Sequence, residues 1–83
     1  MNTNQDVSKF ENKAIKCDTW AQIEHLVKIA LSQGLKVESL SETNFNNRTH
    51  NYFACCGGAY ANYSSVCSHE TEIPYADFIA NIA

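Results

Sequence analysis

Four cysteines and three histidines supply the side chains that could hold a zinc ion. They are Cys17, Cys55, Cys56, Cys67, His25, His50 and His69. A structural zinc site commonly draws two of its four ligands from one tight turn, with C-x-x-C spacing. Here Cys55 and Cys56 are adjacent, so on a strand their side chains leave opposite faces, and one residue separates Cys67 from His69. The spacing favours small buried thiols, with no metal, and a small zinc-binding module is the lesser alternative.

A cysteine nucleophile is the second chemistry that the residue types suggest. It needs a thiolate beside a histidine, with N–H donors for an oxyanion. Gly57 and Gly58 follow Cys56 and could supply such donors, but a tight turn explains the same glycines. The sequence has no nucleophile elbow, zinc-protease, P-loop or dinucleotide motif. We therefore expect no enzyme, no catalytic residues and no cofactor.

Aromatic side chains are concentrated on or beside one predicted hairpin that carries few charges. Tyrosines combine a large apolar ring with a polar hydroxyl, and such side chains favour interfaces. The alternative is that the rings cap a thin core with their hydroxyls in water. Both interpretations stay open. The candidate interface residues are Tyr60, Tyr63, Tyr52, Phe45 and Ile29.

The charge balance argues against nucleic acid as a partner. The 83 residues include six lysines and arginines against nine aspartates and glutamates, for a net charge of −3. A protein that binds the phosphate backbone needs a clustered basic face. Nine dispersed carboxylates are also too few to imitate the dense charge of DNA. We therefore expect a partner other than nucleic acid.

The length allows one domain. Chains split into separate cores only at roughly 250 residues. Residues 1–8 are polar and lack periodicity, so we expect a polar N-terminal arm followed by a single domain over residues 9–83. So short a chain builds a thin core, and this favours a homodimer.

The sequence also indicates the cellular compartment in which the protein acts. It has no apolar run long enough to cross a membrane, and its first ten residues are polar, unlike a signal peptide. We therefore expect a cytoplasmic protein with no membrane partner. In that reducing compartment the four cysteines should be free thiols.

The strongest local signal is a helix over residues 20–33. Thr19 and Gln22 match a capping box, and Gly34 supplies a left-handed stop. At about 100° per residue, six apolar side chains fall in one arc that should face the core. This arc consists of Trp20, Ile23, Leu26, Val27, Ala30 and Leu31. His25 should face solvent, and Ile29, outside the arc, is either an ordinary exposed side chain or an interface contact.

Period-two alternation and turn residues predict four strands. They span residues 13–17, 35–40, 51–56 and 59–67. The last two flank Gly57-Gly58, which is typical of a two-residue hairpin turn. That turn would place Tyr52 opposite Tyr63 and Cys55 opposite Tyr60.

The hairpin should have two partly apolar faces. One face carries Tyr52, Ala54, Cys56, Ala59, Ala61 and Tyr63, and the other carries Phe53, Cys55, Tyr60, Asn62 and Val66. A helix covers one face of such a sheet. A loop, a second protomer or a target protein must therefore cover the other.

Two further segments complete the predicted fold. Residues 41–49 form a polar loop whose Phe45 either plugs back onto the core or anchors a partner. Pro74 begins a short C-terminal helix over residues 74–82. The predicted class is α+β, in the order β-α-β-β-β-α, with a small, mostly antiparallel sheet packed by one main helix and the C-terminal helix.

This order of elements resembles small accessory proteins of tailed bacteriophages, over about residues 14–80. Such proteins often show a helix ending in Gly-Tyr, a Trp and Ser-Gly segment, a strand pair and a terminal I-x-[FY]-x-[DE]-F motif. The segment here that corresponds to the terminal motif is Ile73-Pro74-Tyr75-Ala76-Asp77-Phe78. This chain has Leu35 where that pattern has Tyr, and Val37-Glu38-Ser39-Leu40 where it has Trp with Ser-Gly. The resemblance implies a phage-encoded protein that acts in a bacterial host against a defence system such as BREX, CRISPR-Cas or restriction. It carries over no functional residues.

Two functional hypotheses follow. In the first, the protein is a small non-catalytic inhibitor that binds a host protein through its tyrosine-bearing face. In the second, it is a nucleotide-signal sponge whose site forms between protomers. The second needs cations that face a phosphate, and Arg48, Lys36 and Lys28 are the modest candidates. The inhibitor is the favoured hypothesis.

Overall fold

The computed structural model describes residues 10–38, 40–55 and 58–82, so the expected arm over residues 1–8 lies outside the described part. The described elements are β1 (Lys13–Lys16), α1 (Trp20–Ser32), α2 (Glu42–Asn46), β2 (Tyr52–Cys55), β3 (Tyr60–Tyr63), β4 (Thr71–Pro74) and α3 (Tyr75–Ile82). The sheet order is β3-β2-β1-β4, with β2 antiparallel to both β1 and β3, and β4 parallel to β1. This mixed sheet with helices confirms the predicted α+β class.

Helix α1 begins and ends where its sequence predicts. The side chain of Thr19 accepts a hydrogen bond from the Gln22 amide at 3.3 Å, which satisfies one of the free N–H groups of the first turn. The Gln22 side chain reaches back to the amide of Asp18, at 2.7 Å, and not to that of Thr19. Gly34 has φ +80°, the left-handed conformation expected after the last turn.

The buried side of α1 is rotated from the predicted arc. Ile23, Leu26 and Ala30 are fully buried, but Leu31 is 56% exposed and Ile29 is half-buried against the core. The predicted burial of Leu31 is therefore wrong. The cause is helix α3, because its Tyr75 contacts His25 and so lies along the flank of α1 that also carries Ile29 one turn later.

The predicted hairpin register is confirmed. Tyr52 pairs with Tyr63, Phe53 with Asn62, Ala54 with Ala61, and Cys55 with Tyr60. Gly58 has φ +100°, as the tight turn requires, while Cys56 and Gly57 lie outside the described residues. The alternation of apolar side chains therefore places each side chain of the hairpin on the expected face.

Three segments differ from the sequence prediction. Of the strand predicted over residues 35–40, the described residues form a single parallel bridge between Val37 and Tyr60. The predicted polar loop contains α2, which is capped by Ser41. The chain after Cys67 continues into β4, which the sequence did not predict. This strand lacks an alternating apolar pattern because it is mostly exposed and pairs along one edge only.

An aromatic cluster fills the main core between the sheet and the helices. The ring of Phe10 lies 4.8 Å from Phe78 of α3, 5.6 Å from Tyr60 and 6.1 Å from Phe53, measured between centroids. Phe53 and Tyr60 stack at 5.6 Å. These rings bury large apolar areas, so they carry much of the stability of a thin core.

Candidate functional site

The two faces of the sheet are covered in different ways. Both long helices pack on one face, where Leu26 of α1 and Phe78 of α3 join Ile15 and Phe53 in the main core. The opposite face, which we call the helix-free face, carries a second cluster. This cluster consists of buried Ala14, Tyr52 and Ala54, with Tyr63 and Val66 packed against them.

A short connection crosses the helix-free face. Strands β3 and β4 lie at opposite edges of the sheet and run in the same direction, so the chain must return across a face to join them. Residues 64–70 make this connection, and we call them the strap. Val66 packs on the second cluster, which identifies the face that the strap crosses. The sequence predicted Val66 on the opposite face of the hairpin. That prediction is wrong, because β3 ends at Tyr63 and side chains no longer alternate between the two faces beyond it.

The strap has little slack. The straight distance from the end of β3 to the start of β4 is roughly 18 Å, because the strap must cross three strand spacings of about 4.8 Å and return along the length of one short strand. Eight extended Cα steps from Tyr63 to Thr71 reach about 26 Å. A loop of the same chain thus covers the centre of this face, which was one of the three alternatives that the sequence left open.

Small side chains let the strap lie close to the sheet. Ala14 of β1 and Ala54 of β2 are both 0% exposed, and Ala61 of β3 is buried as well. A larger side chain at the two fully buried positions would have to displace neighbours in the second cluster, because interiors are close-packed. The alanines, which looked unremarkable in the sequence, therefore keep this cluster thin where Val66 of the strap packs against it.

Two hydrogen bonds close a turn within the strap, and the strap also carries a disulfide-bonded cysteine. The amide of Glu70 donates to the Cys67 carbonyl at 3.0 Å, and the amide of Cys67 donates to Oε1 of Glu70 at 3.2 Å. Cys67 is disulfide-bonded, whereas Cys17 and Cys55 are free thiols. The expectation that all four cysteines are thiols is therefore wrong for Cys67. Cys56 lies outside the described residues.

Polar and charged side chains border the second cluster. The Tyr52 hydroxyl lies 3.5 Å from Oε1 of Glu72, which is on β4. Lys16 and Glu72 also line an open cleft of about 340 Å³ at the carboxyl ends of β1 and β4, together with Asp18 and Tyr75. The helix-free face therefore has an apolar centre beneath and beside the strap, and a rim of both charges.

Both edges of the sheet are protected against pairing with another strand. On the outer edge of β3, the amide of Tyr60 donates to the Lys36 carbonyl and the amide of Glu38 donates to the Tyr60 carbonyl, both at 2.9 Å. Arg48 donates from Nη1 to the Asn62 carbonyl at 2.9 Å. On the other side β4 ends in a proline, which has no N–H to offer. The edges therefore resist strand addition, and faces are the better contact surfaces.

The candidate interface residues fall into two groups. Tyr60, Tyr52 and Phe45 are buried, with exposed fractions of 9%, 8% and 7%. Tyr63 and Ile29 are half-buried, on the helix-free face and on α1 respectively. The structure brings Tyr63 and Tyr52 together as a cross-strand pair, and it separates them from Ile29.

Phe45 plugs the core from the loop side. Its ring meets Trp20 edge-on, with centroids 5.7 Å apart. Asn51, which is also buried, donates from Nδ2 to the Phe45 carbonyl at 3.2 Å and accepts from the Asn62 side chain at 3.1 Å. Of the two roles that the sequence left open for Phe45, its burial matches the plug.

The titratable side chains Cys17 and His25 have roles in the packing of the fold. Burial raises the pKa of the Cys17 thiol from 9.0 to about 12, and the nearby Asp18 carboxylate adds to this shift, so the group is a neutral thiol near pH 7. The ring of His25 hydrogen-bonds through Nδ1 with the Tyr75 hydroxyl, linking α1 to α3. Within residues 10–38, 40–55 and 58–82, no three His, Cys, Asp or Glu side chains are grouped as metal ligands.

Comparisons with other proteins identify no relative of this chain. No family model matches the chain, and no curated protein or solved structure matches it either. In the described part of the chain, the longest helix has 13 residues, and none combines the length and apolar character needed to cross a bilayer.

Proposed function

We propose that this protein is a non-catalytic binding module that covers part of the surface of a partner protein with its helix-free face. The observation that carries this proposal is the unequal covering of the sheet. Two helices pack on one face, while a seven-residue strap lies over the other. Sheet faces with partly exposed aromatic and aliphatic side chains are suited to contact with another protein.

The chemistry of this face defines the partner. Tyr63 and Val66 are half-buried and can lose further area to a partner, and Lys16 and Glu72 provide charges of both signs at the rim. Protein interfaces commonly combine an apolar centre that contains aromatic rings with a polar rim. The partner is therefore a folded protein with a shallow apolar patch, and the contact needs no deep pocket.

The resemblance to phage accessory proteins narrows the proposal to a bacterial host protein. In this proposal the partner is a component of a defence system such as BREX, CRISPR-Cas or restriction. The protein inhibits it by occupying its surface, without turnover. The absence of net positive charge agrees with a protein partner and not a nucleic acid.

A capture experiment with two matched variants tests this function. The tagged protein and its Tyr63→Ala and Leu31→Ala variants are incubated with bacterial lysate under reducing conditions. Leu31 is the control because it is 56% exposed on α1, away from the helix-free face. We expect Tyr63→Ala to weaken capture by about tenfold or more, as for an interface anchor, and Leu31→Ala to leave capture unchanged.

Melting curves of both variants accompany the capture, so that a folding defect is recognised. A result in which Leu31→Ala loses the captured protein and a folded Tyr63→Ala retains it would place the contact on α1 instead. Equal capture by all three forms would also contradict a contact at the helix-free face.

A further inference from the structure

We propose that the strap is a redox-controlled cover: the disulfide of Cys67 holds it across the helix-free face, and reduction of that bond releases it while the rest of the fold remains. The two forms would differ in how much of the second cluster is open to solvent. The consequence for partner binding rests on the function proposed above, whereas the release of the strap does not.

Apart from the disulfide, the described residues make few contacts that hold the strap. The described hydrogen bonds at Cys67 and Glu70 join strap residues to one another and not to the sheet. In the described part of the chain, Val66 makes an apolar contact between the strap and the second cluster, and it is itself half-buried. A segment with few buried contacts and few hydrogen bonds opens locally at low cost, unless a covalent link holds it.

The second cluster, against which Val66 of the strap packs, is apolar. Its members Ala14, Ala54 and Tyr52 are buried, although none of the described helices covers this face. Release of the strap would expose these side chains, and Tyr52 would then stand beside its cross-strand partner Tyr63. The uncovered surface would be a larger apolar patch with two aromatic rings, which is the kind of surface that binds another protein.

The strap packs on a cluster that is separate from the main core. The free cysteines, Cys17 and Cys55, belong to the main core cluster or pack against it, and Cys17 is buried. The strap packs against the second cluster instead. A change at the disulfide therefore leaves the contacts between α1, α3 and the sheet in place.

The redox step is an exchange with a dithiol protein of the thioredoxin class. A thiolate of the dithiol attacks one sulfur of the disulfide and forms a mixed disulfide, and its second thiol then resolves that bond. Two electrons and two protons pass to the chain, giving a thiol at Cys67 and a thiol at its partner, and the dithiol becomes a disulfide. The reduced form would therefore prevail in a reducing cytoplasm, and the covered form in an oxidising compartment.

Hydrogen exchange measured with and without a dithiol tests the release. On reduction, we expect the amides of residues 64–70 to exchange at least about tenfold faster, while those of α1 keep their protection. Intact-mass measurement without reductant should give a monomer that gains two hydrogen atoms when it is reduced.

Two variants provide the controls. Cys67→Ser should show fast strap exchange whether or not the dithiol is present. Cys55→Ser removes a free thiol on β2 and should keep the full response of the parent. Unchanged strap exchange on reduction would overturn the proposal. Loss of protection in α1 as well would also overturn it, because the disulfide would then hold the whole fold and not a cover.

If the strap opens as expected, capture can be compared between the two redox forms. Stronger capture by the reduced form supports the link to the proposed function. Equal capture by both forms overturns that link and leaves the strap result unaffected.

Discussion

Cys17 is a thiol that the fold keeps protonated. Its side chain is 3% exposed at the end of β1, and its sulfur lies 3.5 Å from the Ile15 carbonyl oxygen. Burial, with a smaller contribution from the charge of Asp18, raises the pKa of the thiol to about 12. A nucleophilic cysteine needs the opposite shift, so this position is structural.

The raised pKa predicts a loss of stability at alkaline pH. The unfolded chain releases the Cys17 proton above about pH 9, whereas the folded chain keeps it until about pH 12. The stabilisation is therefore complete below pH 9 and is lost as the pH rises toward 12, by about 1.4 kcal/mol per unit in that window.

Denaturant unfolding between pH 8 and 11 measures this effect. Cys17→Ala should show a smaller decline in the free energy of unfolding over this range than the parent. Leu31→Ala, which removes no titratable group and lies at an exposed position, should decline as the parent does. Parallel slopes for the parent and Cys17→Ala would mean that the thiol ionises freely in the folded state.

Phe45 can be tested as a plug by truncation. Because its ring is buried against Trp20, we expect Phe45→Ala to lower the free energy of unfolding by about 3 kcal/mol. Leu31→Ala, at an exposed position, should change it by less than about 0.5 kcal/mol. Denaturant melts of the two variants make the comparison, and an equally small effect for both would show that Phe45 contributes no core packing.

Among the elements, α1 and the hairpin could be predicted because their signals are local. A capping box and a glycine fix the ends of α1, and alternating side chains around a glycine pair fix the register of β2 and β3. The burial of Leu31 and Ile29 could not be predicted in this way. It depends on the flank of α1 on which α3 packs, and the sequence of α1 alone does not determine that flank.

The strap was missed for a similar reason. Its role depends on β4 pairing in parallel with β1 at the far edge of the sheet, which is a contact between distant parts of the chain. β4 itself has the residues of a protected edge, with Glu72 and Pro74, and lacks the alternating apolar pattern that marks a strand. The second cluster, and with it the candidate contact face, follows from that pairing.

The complete burial of Ala54 predicts a strong effect of side-chain size at this position. Ala54→Leu should cost about 1–3 kcal/mol, because the added atoms have no space in the second cluster. Ala21→Leu adds the same atoms at an exposed position of α1 and should be nearly neutral. Thermal melts of both variants test this, and equal stabilities would show that the second cluster has room for a larger side chain.

At the scale of the whole molecule, the homodimer stays a prediction. It was argued from a second apolar face that the chain was too short to cover, and the strap covers the centre of that face. The remaining argument is the thin core of a chain of 83 residues. Light scattering at micromolar concentration measures the oligomeric state directly, and a monomer mass would contradict the homodimer.

A footprint of the complex tests most directly whether a partner protein covers the helix-free face. The isotopically labelled protein is bound to the purified captured protein, and NMR cross-saturation identifies the amides at the contact. With the disulfide of Cys67 intact, we expect transfer to Tyr63 and to strap residues around Val66, and none to the exposed side of α1 at Lys28 and Leu31. Transfer to α1 with the strap and Tyr63 unaffected would contradict the claim.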